Sequence, residues 1–135
     1  MFESPGLKIY HILWYYNHKL WLRSKTMLEP VLGNSTIERI LFTLESYGQA
    51  YPTGLSKMFN IPVNGIQQQL ERLENGGVVV SSMVGRTRLY QFNPRYPFLK
   101  ELRALIQRAM EFLSEKEMQQ YYRRRTRPRK KGKPL

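Results

Sequence analysis

The apolar residues in the first part of the chain repeat with the period of a helix. Between residues 7 and 28, one face of such a helix would carry Ile9, Ile12, Leu13, Tyr16 and Leu20. Trp14 and Trp21 widen this face with large aromatic rings. So broad a face has to be buried, and the pattern favours a partner subunit, with packing within the same chain as the alternative.

A capping signal opens the next helical pattern. Ser35 and Glu38 have the spacing of a capping box, in which each side chain bonds to the other residue's backbone N–H. The apolar residues that follow at helical spacing predict a helix over residues 36–46. Gly48 is predicted to end it, since glycine readily takes the left-handed conformation of a helix stop.

A second and a third helix are predicted after a short extended piece. Residues 50–52 form that piece, and the proline among them predicts a position at a sheet edge. Thr53 is predicted to cap a short helix over residues 54–59. After a turn, the third helix is predicted to begin near Pro62, because proline suits the first turn of a helix, and to run to about Glu74.

A hairpin, a long helix and a polar tail complete the pattern. Residues 78–83 and 89–92 are predicted to be two strands joined by a basic turn at residues 85–88. An amphipathic pattern then predicts one helix over residues 97–122. Residues 123–135 have no apolar periodicity and are predicted to be disordered without a ligand.

The charge of the chain changes this picture because it is concentrated at one end. The formal net charge is +12, and residues 123–133 hold eight Lys or Arg residues and no acid, which leaves only +4 for residues 1–122. An excess of this size points to nucleic acid first and to an anionic membrane surface second. The chain contains no cysteine, which excludes disulfides, thiolate zinc sites and thiol nucleophiles. No apolar run reaches the ~18 residues that span a bilayer, so a soluble protein is expected.

The order of these elements and several local sequences carry a resemblance to a known family. The segments concerned are the helix Thr36–Leu44, the run Leu55-Ser56-Lys57-Met58-Phe59 followed by Asn60-Ile61-Pro62, the ending Leu70-Glu71-Arg72-Leu73-Glu74-Asn75-Gly76-Gly77-Val78, and the hairpin Val84-Gly85-Arg86-Thr87-Arg88-Leu89-Tyr90. Together, residues 35–93 resemble the winged helix-turn-helix transcription regulators of the ArsR-like branch.

This resemblance implies an α+β fold, a three-helix core with a β-hairpin wing, and helical extensions at both ends. The expected division of the chain is an aromatic-rich helical extension (1–34), the winged helix-turn-helix domain (35–93), a carboxy-terminal amphipathic helix (94–122) and a basic tail (123–135). Winged helices also bind RNA and other proteins, so the fold alone does not decide the function.

The polar face of the third helix is the candidate base-reading surface. At 100° per residue, Asn64, Gln68 and Glu71 lie opposite the buried Ile66, and Gln67 lies on the flank. Asn and Gln can each form a pair of hydrogen bonds to adenine in the major groove. Asn64, Gln67 and Gln68 are therefore predicted to contact bases. The alternative is that they are ordinary solvated side chains.

Basic and hydroxyl side chains around this helix are candidate phosphate ligands. In the family the wing lies along phosphates or enters the minor groove, which implies that role for Arg86, Thr87 and Arg88. Ser56, Lys57, Arg72 and, more weakly, Arg39 are further candidates. The tail residues Arg123, Arg124, Arg125, Arg127, Arg129, Lys130 and Lys131 would add attraction without sequence preference.

The flanking helices are where this fold commonly dimerises, so the resemblance implies a homodimer. The expected interface residues are Ile12, Trp14, Tyr16, Leu102, Leu105, Ile106 and Phe112. A two-fold pair would set the two recognition helices ~34 Å apart, one turn of DNA.

No metal, cofactor or catalytic group is expected. ArsR-like metal sensors use cysteine clusters or acid–histidine sets on the last helix, whereas this chain has no cysteine and no histidine there. His11 and His18, seven residues apart, are too distant to share one metal ion on a helix. No nucleophile stands in a triad-like sequence.

The sequence thus predicts a sequence-specific regulator that binds double-stranded DNA, a repressor acting as a homodimer in the cytoplasm and associated with the nucleoid. Two alternatives stay open. One is a nucleic-acid-organising protein driven by the wing and the tail, and the other is a protein-interaction module within a larger complex.

Overall fold

The structure of the protein, a computed structural model, describes residues 27–122. Its elements, in chain order, are α1 (Glu29–Leu32), α2 (Ser35–Tyr47), α3 (Pro52–Phe59), α4 (Val63–Asn75), β1 (Val79–Val84), β2 (Thr87–Phe92), α5 (Leu99–Met110), α6 (Glu115–Glu117) and a π-helical turn (Met118–Tyr122). The predicted winged helix-turn-helix is confirmed. Most of the predicted helix over residues 7–28, and all of the predicted tail, lie outside the described residues.

Helix α2 forms the centre of the core because almost every side of it is covered. It contacts α1, α4, α5 and the π-helical turn. The most deeply buried apolar side chains are Ile40, Leu41, Phe42, Leu44, Leu55, Ile66, Leu70, Val79 and Ile106. These residues come from α2, both other helices of the helix-turn-helix, the first wing strand and α5, so one core joins the domain to its carboxy-terminal helix.

The cap of α2 differs from the predicted capping box. Asn34, not Ser35, is the N-cap residue, and its Oδ1 accepts a hydrogen bond from the Ile37 N–H at 2.8 Å. The carboxylate of Glu38 accepts from the Leu28 N–H at 2.7 Å instead of reaching back to the cap. Glu38 is only 2% exposed. Burying a carboxylate is favourable only with hydrogen-bond partners, and this bond also fixes α1 against α2.

The start of α3 also differs from the prediction. Of the predicted extended piece, only Ala50 pairs as a strand residue, in an isolated bridge to Tyr90. The Ala50 N–H donates to the Tyr90 carbonyl at 2.9 Å, and the Tyr90 N–H donates to the Ala50 carbonyl at 2.8 Å. Pro52 is the first residue of α3, and Tyr51 rather than Thr53 is its N-cap. Proline fits there because the first N–H of a helix has no partner within the helix.

The wing is a regular antiparallel hairpin with a tighter turn than predicted. Val84 pairs with Thr87, so only Gly85 and Arg86 form the turn. Gly85 has a φ of +63°, as a two-residue turn with glycine at its first central position requires. Thr87 and Arg88 therefore belong to β2, and the predicted four-residue basic turn is too long.

The predicted continuous helix over residues 97–122 is broken. Helix α5 ends at Met110, and Ser114 has the extended angles φ −65° and ψ 153°. Its hydroxyl accepts from the Glu117 N–H at 3.1 Å and so caps a new turn. The break turns the chain back onto α2, where Tyr122 becomes buried against Phe42.

Candidate nucleic-acid interface

Helix α4 separates a buried face from a polar face, as predicted. Ile66, Leu70 and Leu73 are buried. Asn64, Gln67 and Gln68 are exposed, and within residues 27–122 none of their amides is engaged in a hydrogen bond. These three amides stand on the amino-terminal half of the helix, so all of their donors and acceptors remain available to a ligand.

A second stripe of α4 faces the turn between α1 and α2. The Gln69 Oε1 accepts a hydrogen bond from the Asn34 Nδ2 at 3.0 Å. Arg72, three residues further along, lies over the turn, since a Cβ at Gly33 would stand 3.5 Å from its Nη1. Arg72 is exposed, but it stands beside this turn and not in line with Asn64 and Gln68.

The structure separates the two wing arginines that the sequence placed together. Arg86 lies in the exposed turn of the hairpin. Arg88 extends back along the strands, and its Nη1 donates to the Ser81 Oγ at 3.0 Å, while the Ser81 hydroxyl donates to the Glu74 Oε2 at 2.5 Å. This Glu74–Ser81–Arg88 chain joins both wing strands to the last turn of α4. It therefore fixes the direction of the wing relative to the recognition helix.

The sequence did not indicate that Ser81 and Glu74 link the wing to α4. Ser81 and Arg88 lie on the same face of the hairpin because Arg88 pairs with Met83, two residues from Ser81. The alternation of strand residues could have shown that much. The link to Glu74 could not be read from the sequence, since it depends on the angle between the hairpin and α4.

The remaining phosphate candidates differ in how free they are. The Ser56 hydroxyl donates to the Ile61 carbonyl at 2.5 Å, so its one proton already holds the turn between α3 and α4. Lys57 is exposed in the last turn of α3. The guanidinium of Arg39 lies 5.4 Å from the centroid of the Phe59 ring. Ser56 and Arg39 thus already contact neighbouring groups through their polar ends. Among these three residues, only the Lys57 ammonium has no such contact within the described part of the chain.

Burial sets the protonation of the tyrosines next to these elements. Burial, followed by the negative charge of Glu74, raises the pKa of Tyr90, although Arg88 acts in the opposite direction. Burial also raises the pKa of Tyr47 and of Tyr122 above the ordinary tyrosine value. The phenols therefore stay neutral near pH 7, and the positive charge of the interface is supplied by its Lys and Arg residues.

The predicted dimer residues fall into three groups. Ile12, Trp14, Tyr16 and the seven tail residues lie outside the described residues. Ile106 is 0% exposed within the single chain, so its assignment to a dimer interface is wrong, because its side chain fills the core. Leu102 is half-buried, whereas Leu105 and Phe112 are 41% and 46% exposed.

Two further properties of the described part bear on the site. Residues 27–122 contain no group of three or more His, Cys, Asp or Glu side chains placed to hold a metal ion. None of the helices in that range has the length and apolar character that a bilayer crossing requires.

Comparison with known proteins found similar solved structures only. No protein-family model and no curated protein sequence matches the chain. The AntR antimony-specific transcriptional repressor is similar with a TM-score of 0.49 and 24% identity, over 62% of this chain and 74% of that one. The YusO protein from Bacillus subtilis has a TM-score of 0.49 and 17% identity, over 87% and 92%. A MepR-like protein complexed with pseudoligands has a TM-score of 0.48 and 16% identity, over 91% and 85%.

Proposed function

We propose that this protein is a sequence-specific DNA-binding transcription regulator, and that it acts as a homodimeric repressor. The observation that carries the proposal is the row of exposed amides on α4, Asn64, Gln67 and Gln68, with no hydrogen-bond partner among residues 27–122. Amides of this kind read adenine in the major groove, and each bidentate pair discriminates against a wrong base by about 1–3 kcal/mol.

The surroundings of α4 support this mode of binding. An α-helix fits the major groove, with its amino-terminal residues nearest the bases. The two acids of α4, Glu71 and Glu74, stand in its carboxy-terminal half, and Glu74 is bonded to the wing. Arg86 at the wing turn and Lys57 on α3 would hold phosphates on either side of the groove. We assign Ser56 no part in this binding because its proton is committed to the turn.

An apolar ridge supports the homodimer. Phe98, Leu105 and Phe112 are all exposed, and they recur every seven residues along α5 and its ends. Leu105 lies within α5, and Phe98 and Phe112 stand just before and just after it. Large exposed apolar side chains near one another are typical of an interface. The aromatic segment over residues 7–28 would add to the same interface. A repressor of this kind would block polymerase by occupying the promoter.

The test begins by selecting duplexes from a randomised pool with the full-length protein. Fluorescence anisotropy at physiological salt then compares a selected duplex with a scrambled one. We expect a preference of ~10³-fold or more, as specific DNA-binding proteins show. Binding without preference would instead favour a nucleic-acid-organising protein, and no binding at low salt would favour a protein-interaction module.

Substitutions on α4 test the reading role directly. Gln68→Ala should weaken binding to the selected duplex by about 1–3 kcal/mol and relax the preference at one base pair. Gln49→Ala, which removes another exposed amide two residues after the end of α2, is the matched control and should leave binding unchanged. Equal affinity and equal preference for Gln68→Ala and the unmodified protein would remove Gln68 from the reading surface.

A further inference from the structure

A cavity lies between the end of α2 and helix α3, and we call it the α2–α3 cavity. Its volume is about 570 Å³, which falls within the range of about 300–1,000 Å³ that is usual for small-molecule sites. Its lining includes side chains of both helices and of the residue before α3, among them Thr43, Tyr47, Tyr51, Leu55, Lys57 and Met58. The cavity is therefore large enough to hold a small ligand.

The walls of this cavity are mostly apolar. Tyr47, Tyr51 and Met58 are large side chains that remain exposed, and all three line the cavity. Exposed apolar side chains that gather around one concave surface are typical of a ligand site. Aromatic rings favour stacked or edge-on contact with another ring, and a thioether also packs well on a ring. The walls therefore favour a ligand with a flat, apolar ring body.

Both tyrosine rings of the cavity are held in place. A Cβ at Gly54 would stand only 2.9 Å from the Tyr51 Cζ, so the Tyr51 ring lies against α3 where the helix has no side chain. The Tyr47 hydroxyl donates to the backbone carbonyl of Tyr121 at 2.7 Å, which fixes the second ring by its polar end. The cavity is thus bordered by rings whose positions the fold determines.

The charge at the cavity is positive. Among the described residues that line it, Lys57 is the only charged one, and Gln49 contributes a neutral amide. An ammonium attracts a negative group, and a hydrogen bond between charged groups is stronger than one between neutral groups. The lining therefore favours a small anion that combines an apolar ring body with one acid group.

Lys57 belongs both to the cavity and to the proposed DNA interface. It is the residue of α3 that we assign to a phosphate of the DNA backbone. An acid group bound to its ammonium would cancel the charge that attracts this phosphate. An anion in the cavity would therefore weaken the binding of DNA. By linkage, DNA would weaken the binding of the anion by the same factor.

We propose that the α2–α3 cavity is a regulatory site, in which a small anion with an apolar ring body pairs with Lys57 and lowers the affinity of the protein for DNA. The ring body packs between Tyr47, Tyr51 and Met58, and the acid group accepts hydrogen bonds from the Lys57 ammonium. Binding of the anion stands on the cavity alone, whereas its effect on DNA rests on the proposed function.

Two fluorescent probes that differ by one acid group test the site. Anilinonaphthalene sulfonate has an aromatic body and a sulfonate, and phenylnaphthylamine is the same body without the sulfonate. Both become brighter in apolar surroundings, so titration of the full-length protein gives their dissociation constants. We expect the sulfonate probe to bind saturably, with one site per chain. The absence of saturable binding would overturn the proposal.

Removal of the Lys57 charge separates the contribution of the acid group from that of the ring body. Lys57→Gln should raise the dissociation constant of the sulfonate probe about three- to tenfold and leave that of the neutral probe unchanged. Lys100→Gln removes the same charge from an exposed position of α5 and is the matched control, which should affect neither probe. Unchanged binding of the sulfonate probe to Lys57→Gln would overturn the proposed pairing and leave at most a site for uncharged molecules.

A substitution in the wall tests where the probes bind. Gly54→Ala puts a Cβ where the Tyr51 ring lies, so it should weaken both probes about fivefold. Because alanine favours a helix, the variant should stay folded, which urea unfolding measures. The matched control is Gly65→Ala, whose Cβ makes an ordinary contact of 3.7 Å with Ile61, and it should leave both dissociation constants unchanged. A loss with Phe98→Ala in place of Gly54→Ala would put the probes on the ridge of α5 and overturn the proposal.

Competition with DNA tests the regulatory part. The selected duplex carries a red dye, so that its anisotropy is read apart from the probe fluorescence. A saturating concentration of the sulfonate probe should weaken binding of the duplex about fivefold or more, and the neutral probe should not. In Lys57→Gln the sulfonate probe should lose this effect, because the shared charge is absent. An equal effect of both probes, or an effect that persists in Lys57→Gln, would contradict competition for this ammonium.

The outcomes separate this proposal from the proposed function. If the protein prefers no selected duplex, the regulator function fails and the regulatory role fails with it, while the probe titrations decide the anion site independently. If a selected duplex is preferred and the sulfonate probe does not compete with it, the regulator function stands and only the regulatory site is rejected.

Discussion

Tyr122 illustrates how the surroundings of a single residue decide its chemistry. In the sequence it is the last residue of an amphipathic pattern, followed directly by a run of arginines. In the structure it is buried beneath the final turn against Phe42 and Phe59. Burial disfavours the charged phenolate and raises the pKa of its hydroxyl. A residue that the sequence places at the edge of the fold thus becomes part of its interior.

This raised pKa predicts a loss of stability in alkali. The native state holds the Tyr122 proton more tightly than the unfolded state does. The contribution of this protonated phenol to the free energy of unfolding is therefore fully present below pH ~10, and it is lost as the pH rises towards the native pKa. The loss approaches about 1.4 kcal/mol per pH unit in that range. Tyr122→Phe keeps the ring without the titrating group, so its free energy of unfolding should fall less between pH 8 and pH 11.

Urea unfolding at the two pH values measures this difference. Tyr51→Phe, at an exposed position, is the control and should follow the unmodified protein. An equal loss for Tyr122→Phe and the unmodified protein would mean that Tyr122 does not titrate as a buried group.

Among the elements, the junction between α4 and β1 is where the chain passes from the helix into the wing. Two adjacent glycines form it, and they have different conformations. Gly77 has a φ of +79°, whereas Gly76 has the ordinary helical φ of −81°. A Cβ at Gly77 would meet nothing within 4 Å, so this position depends on glycine for its backbone angle and not for space. The sequence marks both glycines as a stop, but only the structure distinguishes them.

Alanine at each of these two positions should therefore have a different effect. Gly77→Ala forces a left-handed conformation on a residue with a Cβ and should lower the free energy of unfolding by about 1–2 kcal/mol. Gly76→Ala, its matched control, meets only ordinary contacts with the Arg72 carbonyl at 3.5 Å and should be neutral or stabilising by about 0.4–1 kcal/mol. Denaturant unfolding compares the two, and an equal loss of stability would contradict this assignment.

At the scale of the whole molecule, α5 has two apolar sides, of which one is buried in the core and the other is exposed. Ile106 is 0% exposed and closes the core against α2, while its neighbour Leu105 is 41% exposed. With Phe98 and Phe112, Leu105 forms the exposed ridge that we assign to the homodimer. The apolar stripe in the sequence could not separate the two sides, since both residues fit one amphipathic helix.

Alanine substitutions at these neighbours should separate folding from association. Ile106→Ala should lower the free energy of unfolding of the protomer by about 2–5 kcal/mol, because it leaves a cavity in the core. Leu105→Ala should change the free energy of unfolding by less than about 0.5 kcal/mol. It should raise the dimer dissociation constant tenfold or more, which corresponds to a loss of about 1.4 kcal/mol in the free energy of association. Chemical unfolding and sedimentation equilibrium measure the two quantities. A Leu105→Ala dimer as tight as the unmodified one would place the interface elsewhere.

The sequence by itself determined the type and order of the elements in the winged domain. Local signals decide whether a segment is helix, turn or strand. In this chain they are the hydrophobic periodicity, the helix stops at Gly48 and residues 75–77, and the β-branched run of β1. The exposed face of α4 followed from the same periodicity, since Ile66 and Leu70 fix which side is buried. For this reason the sequence alone is enough to place the amides of Asn64, Gln67 and Gln68 on the outer face of the helix.

Only the tertiary structure decided which partner each polar or terminal group meets. Glu38 has capping-box spacing but bonds to Leu28, and Arg88 bonds to Ser81 instead of standing at the wing turn. The sequence Ser114-Glu115-Lys116-Glu117 contained the signal for the break after α5, yet a continuous amphipathic pattern concealed it. The break brings Tyr122 onto Phe42 and Phe59, which are distant from it in sequence. Periodicity describes one segment at a time, whereas such contacts depend on how the segments pack together.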